Sequence, residues 1–324
     1  MRLLQQVSVA QFGIGPIGAE IVKLLLTKPW VRIVAAVDVD PSKVGKDLGE
    51  IVGMEPIGVI VTSALEVPVE VVCHSTGSRL RDVHAQLDML LSRGSHVVST
   101  CEELSFPLDG AIREALQKTA KSANVTLLGT GVNPGFVMDK LPLTVSSVCQ
   151  QVSAIEITRI VDASRRREPL QRKVGAGMSR KEFSQAVAGG KIKHMGLRES
   201  LMLVGNGLNV DFDQVSDEKI QPVMADGDIT TEFLTVRKGE VAGVHQTISG
   251  KGRIDVSLDI KMYVGAEKPI DRVMIKGVPN VTMEIPGGVH GDRATAAMVV
   301  NSIPRVIAAR PGVLTMDDIS ISYR

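Results

Sequence analysis

The stretch Val7-Ser8-Val9-Ala10-Gln11-Phe12-Gly13-Ile14-Gly15-Pro16-Ile17-Gly18 passes from a β-rich run into a Gly-x-Gly-x-x-Gly turn and then into a helical pattern. Asp38 closes the next β-rich run, Arg32 to Asp38, twenty residues beyond Gly18. In this strand, turn and helix context each glycine has a physical duty. Gly13 permits the tight turn, Gly15 lets backbone approach a pyrophosphate, and Gly18 lets helix and strand pack closely. Ile14, Pro16 and Ile17 complete the loop, and the helix start that follows offers unpaired N–H groups to phosphate. Asp38 is placed to accept hydrogen bonds from the adenosine ribose hydroxyls, and its charge disfavours a 2′-phosphate. NAD is therefore the expected cofactor, with NADP the less favoured one. The competing reading of Asp38 is that it only ends a strand and caps the turn before Pro41.

Outward from this motif, short β-rich runs alternate with helical patterns as far as about Leu128, the signature of βαβ units and a parallel sheet. Strands are expected at Val7 to Phe12, Arg32 to Asp38, Val69 to His74, His96 to Thr100 and Val125 to Gly129, with Gly58 to Val61 a weaker one. Helices are expected over Ile17 to Thr27, Arg79 to Arg93 and Asp109 to Ser122. The second of these carries Val83, Leu87, Leu90 and Leu91 on one stripe. After about Cys149 the runs Ser153 to Val161, Ile229 to Val236, Val241 to Ile248 and Ile254 to Tyr263 read as longer strands without long helices between them. The fold class is thus α/β: an N-terminal Rossmann doubly wound parallel sheet, then an α+β domain on a largely antiparallel sheet. The expected boundaries are 1–148 for dinucleotide binding and 149–290 for substrate binding and dimerisation. Residues 291–324 would be a C-terminal helix and tail returning to the first domain. An antiparallel sheet with one wet face suits a homodimer.

Composition narrows the partners. A chain of 324 residues is long enough for two cores without disulfide or metal staples. A net charge of +1 supplies no field for nucleic acid or anionic membrane, and aromatics at 3% leave little for base stacking. A small molecule is the expected partner. The N-terminal run enters a strand pattern before an apolar leader would fit, and no stretch reaches the length of a membrane span, so a cytoplasmic location is expected. Cys73, Cys101 and Cys149 are odd in number and widely spaced, without the pattern of a zinc site. No metal is expected, and the thiols read as structural.

In an open parallel sheet the ligand lies beyond the carboxyl ends of the strands. Three loops there qualify: His74 to Ser78 with Ser75, Thr76 and Gly77; Thr100 to Leu104 with Cys101; and Gly129 to Gly135 with Asn133 and Pro134. Ordinary turn chemistry is the competing reading of each. The adjacent acids Glu102 and Glu103 follow an apolar strand at the edge that would face the cofactor, where a carboxylate can be tuned as a general base. In extended backbone only one of the two faces the ligand. The alternative is a solvated acid cluster before a helix start. Phe136, His194 and His290 lie in glycine-flanked segments and are candidate substrate residues. Arg165 and Arg167, in an arginine run after a strand, could clamp an anionic group or form a solvated face.

With those residues in view the chain resembles the dihydrodipicolinate reductase-like oxidoreductases, and within them the 2,4-diaminopentanoate dehydrogenases and native amine dehydrogenases. FGIGPIG, KVGKDLGE, STCEEL, GTGVNPGFVMD, RKVGAG with KHMGLRES, and GDRATAAMVVNSIPRVIAARPGVLTMDD carry the resemblance nearly end to end. Two departures choose among relatives. The His-His pair and following Lys expected of a true dihydrodipicolinate reductase are missing from RIVDASRRREPLQRKVGAG. The Glu-Lys-Pro of sugar dehydrogenases is replaced by Glu102-Glu103-Leu104. The resemblance implies a catalytic glutamate that holds ammonia or the substrate amine beside the nicotinamide. That role falls on the Glu102/Glu103 pair, with Glu103 favoured by analogy with Glu-Lys-Pro.

The activity implied is NAD-dependent oxidative deamination of an amine such as 2,4-diaminopentanoate, and in reverse the reductive amination of a ketone or aldehyde with ammonia. Two other readings stay open. One is an imine or dihydrodipicolinate-type reductase, or another small-molecule dehydrogenase, on the same fold. The other is a non-catalytic NAD-binding sensor.

Overall fold

The computed structural model describes residues 6–323. The chain divides into two compact units, Met1–Phe136 with His290–Arg324, and Val137–Val289.

In the first unit β1 (Val7–Phe12), α1 (Pro16–Leu25), β2 (Val31–Val37), the single turn α2 (Leu48–Ile51), β3 (Val61–Thr62), β4 (Val71–His74), α3 (Leu80–Ser92), β5 (His96–Ser99), α4 (Gly110–Ser122) and β6 (Thr126–Gly129) follow one another. A return helix, Gly291–Ala308, and a return strand, Gly312–Leu314, complete it. The sheet runs return strand–β6–β5–β4–β1–β2–β3, and every pair in it is parallel. The chain leaves β1 towards β2 on one side and reaches β4 on the other, so the order reverses beside β1. That reversal is where an open α/β sheet opens a crevice at its strand ends.

Right-handed crossovers then place α1 and α3 on opposite faces. On one face Val83, Leu87, Leu90 and Leu91 of α3 and Leu116 and Ala120 of α4 pack on Ala10, Val72, Val97 and Leu127. Each fully buried leucine there contributes about 1.5–3 kcal/mol. On the other, Ile14 and Val22 pack with Ala36 and Val61, and the return helix lies along α1. Ala36 and Val37 go to different clusters because neighbouring strand residues point to opposite faces.

The second unit contains α5 (Lys140–Ser146), β7 (Gln151–Asp162), α6 (Glu168–Lys173), α7 (Arg180–Ala188), α8 (Leu197–Gly207), β8 (Phe212–Val215), β9 (Lys219–Met224), β10 (Ile229–Thr230), β11 (Thr235–Val236), β12 (Val241–Gly252), β13 (Asp255–Tyr263), β14 (Ile270–Val278) and β15 (Val281–Pro286). Its main sheet runs β15–β14–β7–β13–β12–β8, with β9 also on β12. All its pairs are antiparallel except β7 with β13.

Several expectations change here. Helices α7 and α8 interrupt what reads as a strand-only region. Ser179 and Glu182 form a capping box that starts α7, and Leu197, Leu201 and Val204 bury one stripe of α8. The run Ile229 to Val236 is not one strand but the two-residue pair β10 and β11, folded back because Thr231 Oγ1 takes the N–H groups of Phe233 and Leu234. The chain passes between units after Phe136 rather than after 148, since the segment 137–148 packs inside the second unit. There Asp139 caps α5 and takes the Ser200 hydroxyl of α8 at 2.7 Å.

Candidate active site

The first unit gathers its chemistry at the carboxyl ends of its parallel strands. Gly13 has φ +88°, and a Cβ there would meet Ser75 O at 2.7 Å and Thr76 Cγ2 at 2.8 Å. A Cβ on Gly18 would strike the Gly13 carbonyl. Beside Gly15 a Cβ would meet nothing within 4 Å. Gly15 is also the N-cap of α1 and gives no side-chain bond, with Pro16 opening the helix. The two outer glycines are thus required by packing, and the middle one borders open space at an uncapped helix N-terminus. That is the shape a pyrophosphate needs.

Polar side chains pin this loop from below. Gln11 Nε2 donates to Gly13 O at 2.8 Å and to Ser75 Oγ at 2.9 Å, and Ser75 Oγ donates to Gly13 O at 2.8 Å. Asp38, just past β2, accepts the Ile14 N–H on Oδ2 at 2.8 Å and the Asp40 N–H on Oδ1 at 2.9 Å. Lys43 Nζ stands 3.1 Å from the same Oδ2. Burial pushes the Asp38 carboxyl up, but the Asp40 and Ile14 N–H groups and the Lys43 ammonium together hold it below the usual carboxylate range. It is a firm anion at neutral pH.

The loops after β4 and β5 are joined by a buried chain. His74 stacks on Phe12 with ring centroids 5.8 Å apart. Its Nδ1 is 2.9 Å from Ser99 Oγ and its Nε2 3.0 Å from Gln86 Oε1, while Cys101 N donates to Ser99 Oγ at 3.1 Å. Gln86 Oε1 only accepts, so the ring carries its proton on Nε2, and the Ser99 hydroxyl donates to Nδ1. Burial brings the His74 pKa down to about 4, opposed by Gln86. The ring is a neutral strut under the Thr76 and Cys101 loops. Burial pushes the Cys73 and Cys101 thiols up to about 12, so neither is a ready nucleophile.

Glu102 and Glu103 open a 3-10 turn, Glu102–Ser105, rather than continuing extended backbone. Both are partly buried. Glu103 Oε2 accepts the Leu80 N–H at 2.7 Å, and Glu103 N donates to Ser78 O at 3.3 Å. The N-cap of α3, Arg79, supplies no side-chain bond, so Glu103 performs the capping from outside the helix. The turn is tied down further by Cys101 Sγ on Ser78 O at 3.2 Å.

After β6, the loop with Asn133 and Pro134 meets the start of the return helix, where Val132 N donates to Thr295 Oγ1 at 3.2 Å. His290 is the N-cap of that helix, its Nδ1 accepting from Arg293 N at 3.5 Å. It therefore ends the glycine-flanked loop, where that loop meets the helix start. Phe136 is the last residue of the unit before the chain leaves it.

In the second unit His194 lines a cavity of about 50 Å³ with Lys173, Lys193, Val244 and Met262 among its walls. Gln246 of β12 holds the His194 backbone at both ends. Its Oε1 accepts His194 N–H at 2.9 Å and its Nε2 donates to His194 O at 3.1 Å. Glu218 takes Gln246 Nε2 at 2.7 Å and pairs with Lys193 at 3.1 Å. Burial, with the charges of Arg159 and Lys173, lowers the imidazole to about 3, so it too is neutral. Arg165 and Arg167 are exposed, on a bend clamped by Gln171 Nε2 on Ser164 O and Arg166 O. The buried arginine is Arg159, paired with Asp271 at 2.7 Å and donating to Val289 O.

Thus Gly13 to Gly18, Asp38, Ser75 to Gly77, Thr100 to Glu103 and Asn133 with Pro134 share the strand-end edge of one unit, while Arg165, Arg167 and His194 belong to the other. Gln11, Lys43, Ser99 and Gln246 are additions that sequence reading alone does not pick out. A polar residue inside an apolar strand, as Gln11 and Gln246 both are, is the signal available for two of them. Among the described residues no group of three His, Cys, Asp or Glu could hold a metal, and no helix is long and apolar enough to cross a membrane.

This arrangement can be set against known proteins. Residues 136–323 match the 2,4-diaminopentanoate dehydrogenase C-terminal domain, and residues 7–100 match the N-terminus of dihydrodipicolinate reductase. The chain belongs to the 2,4-diaminopentanoate dehydrogenase family. Its family identity makes it an oxidoreductase of the amine dehydrogenase type. It is 28% identical to the 2,4-diaminopentanoate dehydrogenase of Acetoanaerobium sticklandii, over 98% of this chain and 94% of that one. It is 23% identical to an amine dehydrogenase of Streptomyces virginiae, covering 97% and 96%. The solved amine dehydrogenase of Mycobacterium smegmatis has the same fold, with a TM-score of 0.87 at 23% identity over 98% of this chain and 97% of that one.

Proposed function

We propose that this member of the family is an NAD-dependent amine dehydrogenase whose catalytic carboxylate lies in the Glu102/Glu103 pair, with Glu103 favoured by analogy with Glu-Lys-Pro. It would oxidise an amine such as 2,4-diaminopentanoate to the ketone and ammonia, and aminate the ketone in reverse. The observation that carries the reading is the turn after β5, where the Leu80 N–H on Oε2 fixes the Glu103 carboxylate at the strand-end edge and its remaining lone pairs suit a substrate ammonium.

The first unit fits a dinucleotide by its open Gly15 corner, its uncapped α1 and its ionised Asp38. When bound, the nicotinamide supplies the acceptor or donor of hydride. Everything else falls to the chain. Glu103 accepts a proton from the substrate ammonium, which leaves the neutral amine from which hydride can depart, and then gives that proton to solvent. The carbon–nitrogen bond becomes an iminium cation, and the restored Glu103 carboxylate stabilises it and takes a proton from the water that adds to it, before ammonia leaves. Neutral His74 and Ser99 hold the turn without competing for the proton. From the second unit, His194 and the arginine bend are proposed as substrate contacts, and neutral His194 can donate or accept a hydrogen bond without repelling a cationic amine.

The test is NADH oxidation over a panel of ketones with and without ammonia, together with amine-dependent NAD reduction. Turnover that requires both ketone and ammonia supports the proposal. Carbonyl or preformed imine reduction without ammonia would make the chain a reductase of another kind, and cofactor binding without turnover would make it a sensor.

A further inference from the structure

The carboxylate on which cofactor choice turns has a close neighbour of opposite charge. Lys43 Nζ lies 3.1 Å from Asp38 Oδ2 and 3.4 Å from Asp40 Oδ2, with its side chain 25% exposed and that of Asp38 10% exposed. Lys43 N donates to Asp40 O at 2.9 Å, so the lysine belongs to the turn that both acids bracket.

Asp38 already accepts three donors: Ile14 N and Lys43 Nζ on Oδ2, and Asp40 N on Oδ1. A carboxylate offers about four lone-pair directions. Two ribose hydroxyls donating to it would need one donor to withdraw. The two N–H groups are fixed, one by the glycine loop and one by the turn itself. Lys43 is the donor on a flexible stem. An ammonium displaced from Asp38 stays beside whatever Asp38 holds, and Asp40 keeps it there.

We infer that Lys43 is a cofactor-specificity residue: it offsets one of the two carboxylates at this edge and supplies the cation against which a 2′-phosphate can bind. The inference rests on the dinucleotide reading proposed above and goes past it. Asp38 alone would exclude a phosphorylated ribose, whereas Asp38 with Lys43 makes the choice between NAD and NADP a matter of degree. Without Lys43, Asp38 and Asp40 would face the phosphate as two unopposed anions.

Direct titration of NADH and NADPH, followed by cofactor fluorescence, tests this without turnover. Lys43→Met should raise the ratio of NADPH to NADH dissociation constants by about tenfold, the scale of one hydrogen bond to a charged group. Lys43→Arg should keep the wild-type ratio, and Asp38→Ser should move it the other way. An unchanged ratio in Lys43→Met overturns the inference, whether both affinities hold or both fall together, the latter making Lys43 only a tether of the turn. If the wild type binds neither nucleotide, the proposed function itself fails, an outcome distinct from an unchanged ratio.

Discussion

Replacing the two adjacent glutamates one at a time should produce different phenotypes. Glu103 Oε2 takes the Leu80 N–H at 2.7 Å where Arg79 offers no capping bond. Losing a capping acceptor costs about 1 kcal/mol, and losing an anion at a helix N-terminus about 0.3–1 kcal/mol more. Glu103→Ala forfeits both, so it should destabilise by about 1.5 kcal/mol, a melting-temperature drop of about 3–6 °C for domains of this size. Glu103→Gln keeps a carbonyl acceptor and loses only the charge, so its drop should be about 1–3 °C. Both variants also remove the proposed base, and kcat should fall by about 10²–10⁴-fold. Glu102→Gln leaves the cap and the proposed base in place, so its kcat should stay within about twofold of the wild type. Steady-state amine oxidation at saturating cofactor, run beside thermal unfolding on the same preparations, reads both axes. A Glu103→Gln enzyme that keeps full turnover, or a Glu102→Gln enzyme that loses it, would refute the assignment.

Three further outcomes follow from the same geometry. Gly15→Ala should fold normally and weaken NADH binding, because its methyl enters the open corner of the loop, whereas Gly18→Ala should lower the melting temperature because its methyl meets the Gly13 carbonyl; binding isotherms and melts on the pair check this. His74, buried and lowered to about 4, is neutral when folded but titrates near its ordinary 6.5 when unfolded. The unfolded chain therefore binds the extra proton, so this contribution is complete above pH 6.5 and fades as pH falls towards 4. About 2 kcal/mol is lost by pH 5, and urea melts at pH 7 and pH 5 should show a smaller difference in His74→Gln. Gln246→Leu removes both bonds to the His194 backbone, and should raise the amine KM while NADH affinity holds, with a stability loss of about 1–3 kcal/mol.

The first unit was legible because its signals are local. The end of β1, the glycine turn and the stripe of α3 each declare themselves within a few residues, and burial agrees with them at Val83, Leu87 and Leu90. In the second unit the sequence pattern misleads where tertiary pairing overrides it. Asp271 occupies a buried position of β14 and breaks the apolar alternation that would mark the strand, and Arg159, beside it on β7, together with the Val289 N–H makes that burial tolerable. Helices α7 and α8 lie in a region that reads as strands without long helices between them. Yet Ser179 with Glu182, and Leu197 with Leu201, carry the cap and the period that define them.

The site shows the same division more sharply. That an acid stands after β5 is a local fact. What fixes Glu103 is a backbone N–H twenty-three residues away in the chain. The extended-strand argument fails there for a physical reason. In a 3-10 turn successive side chains are about 120° apart, so facing the ligand is no longer a matter of odd and even positions. Lys43 was hidden for a related reason. A lysine in a polar turn reads as solvated until the fold sets its ammonium against Asp38, and only then does the acid that argues for NAD acquire a partner that tempers the argument. Residue type thus located the chemistry, and hydrogen bonds between distant segments fix the side chains that would carry it.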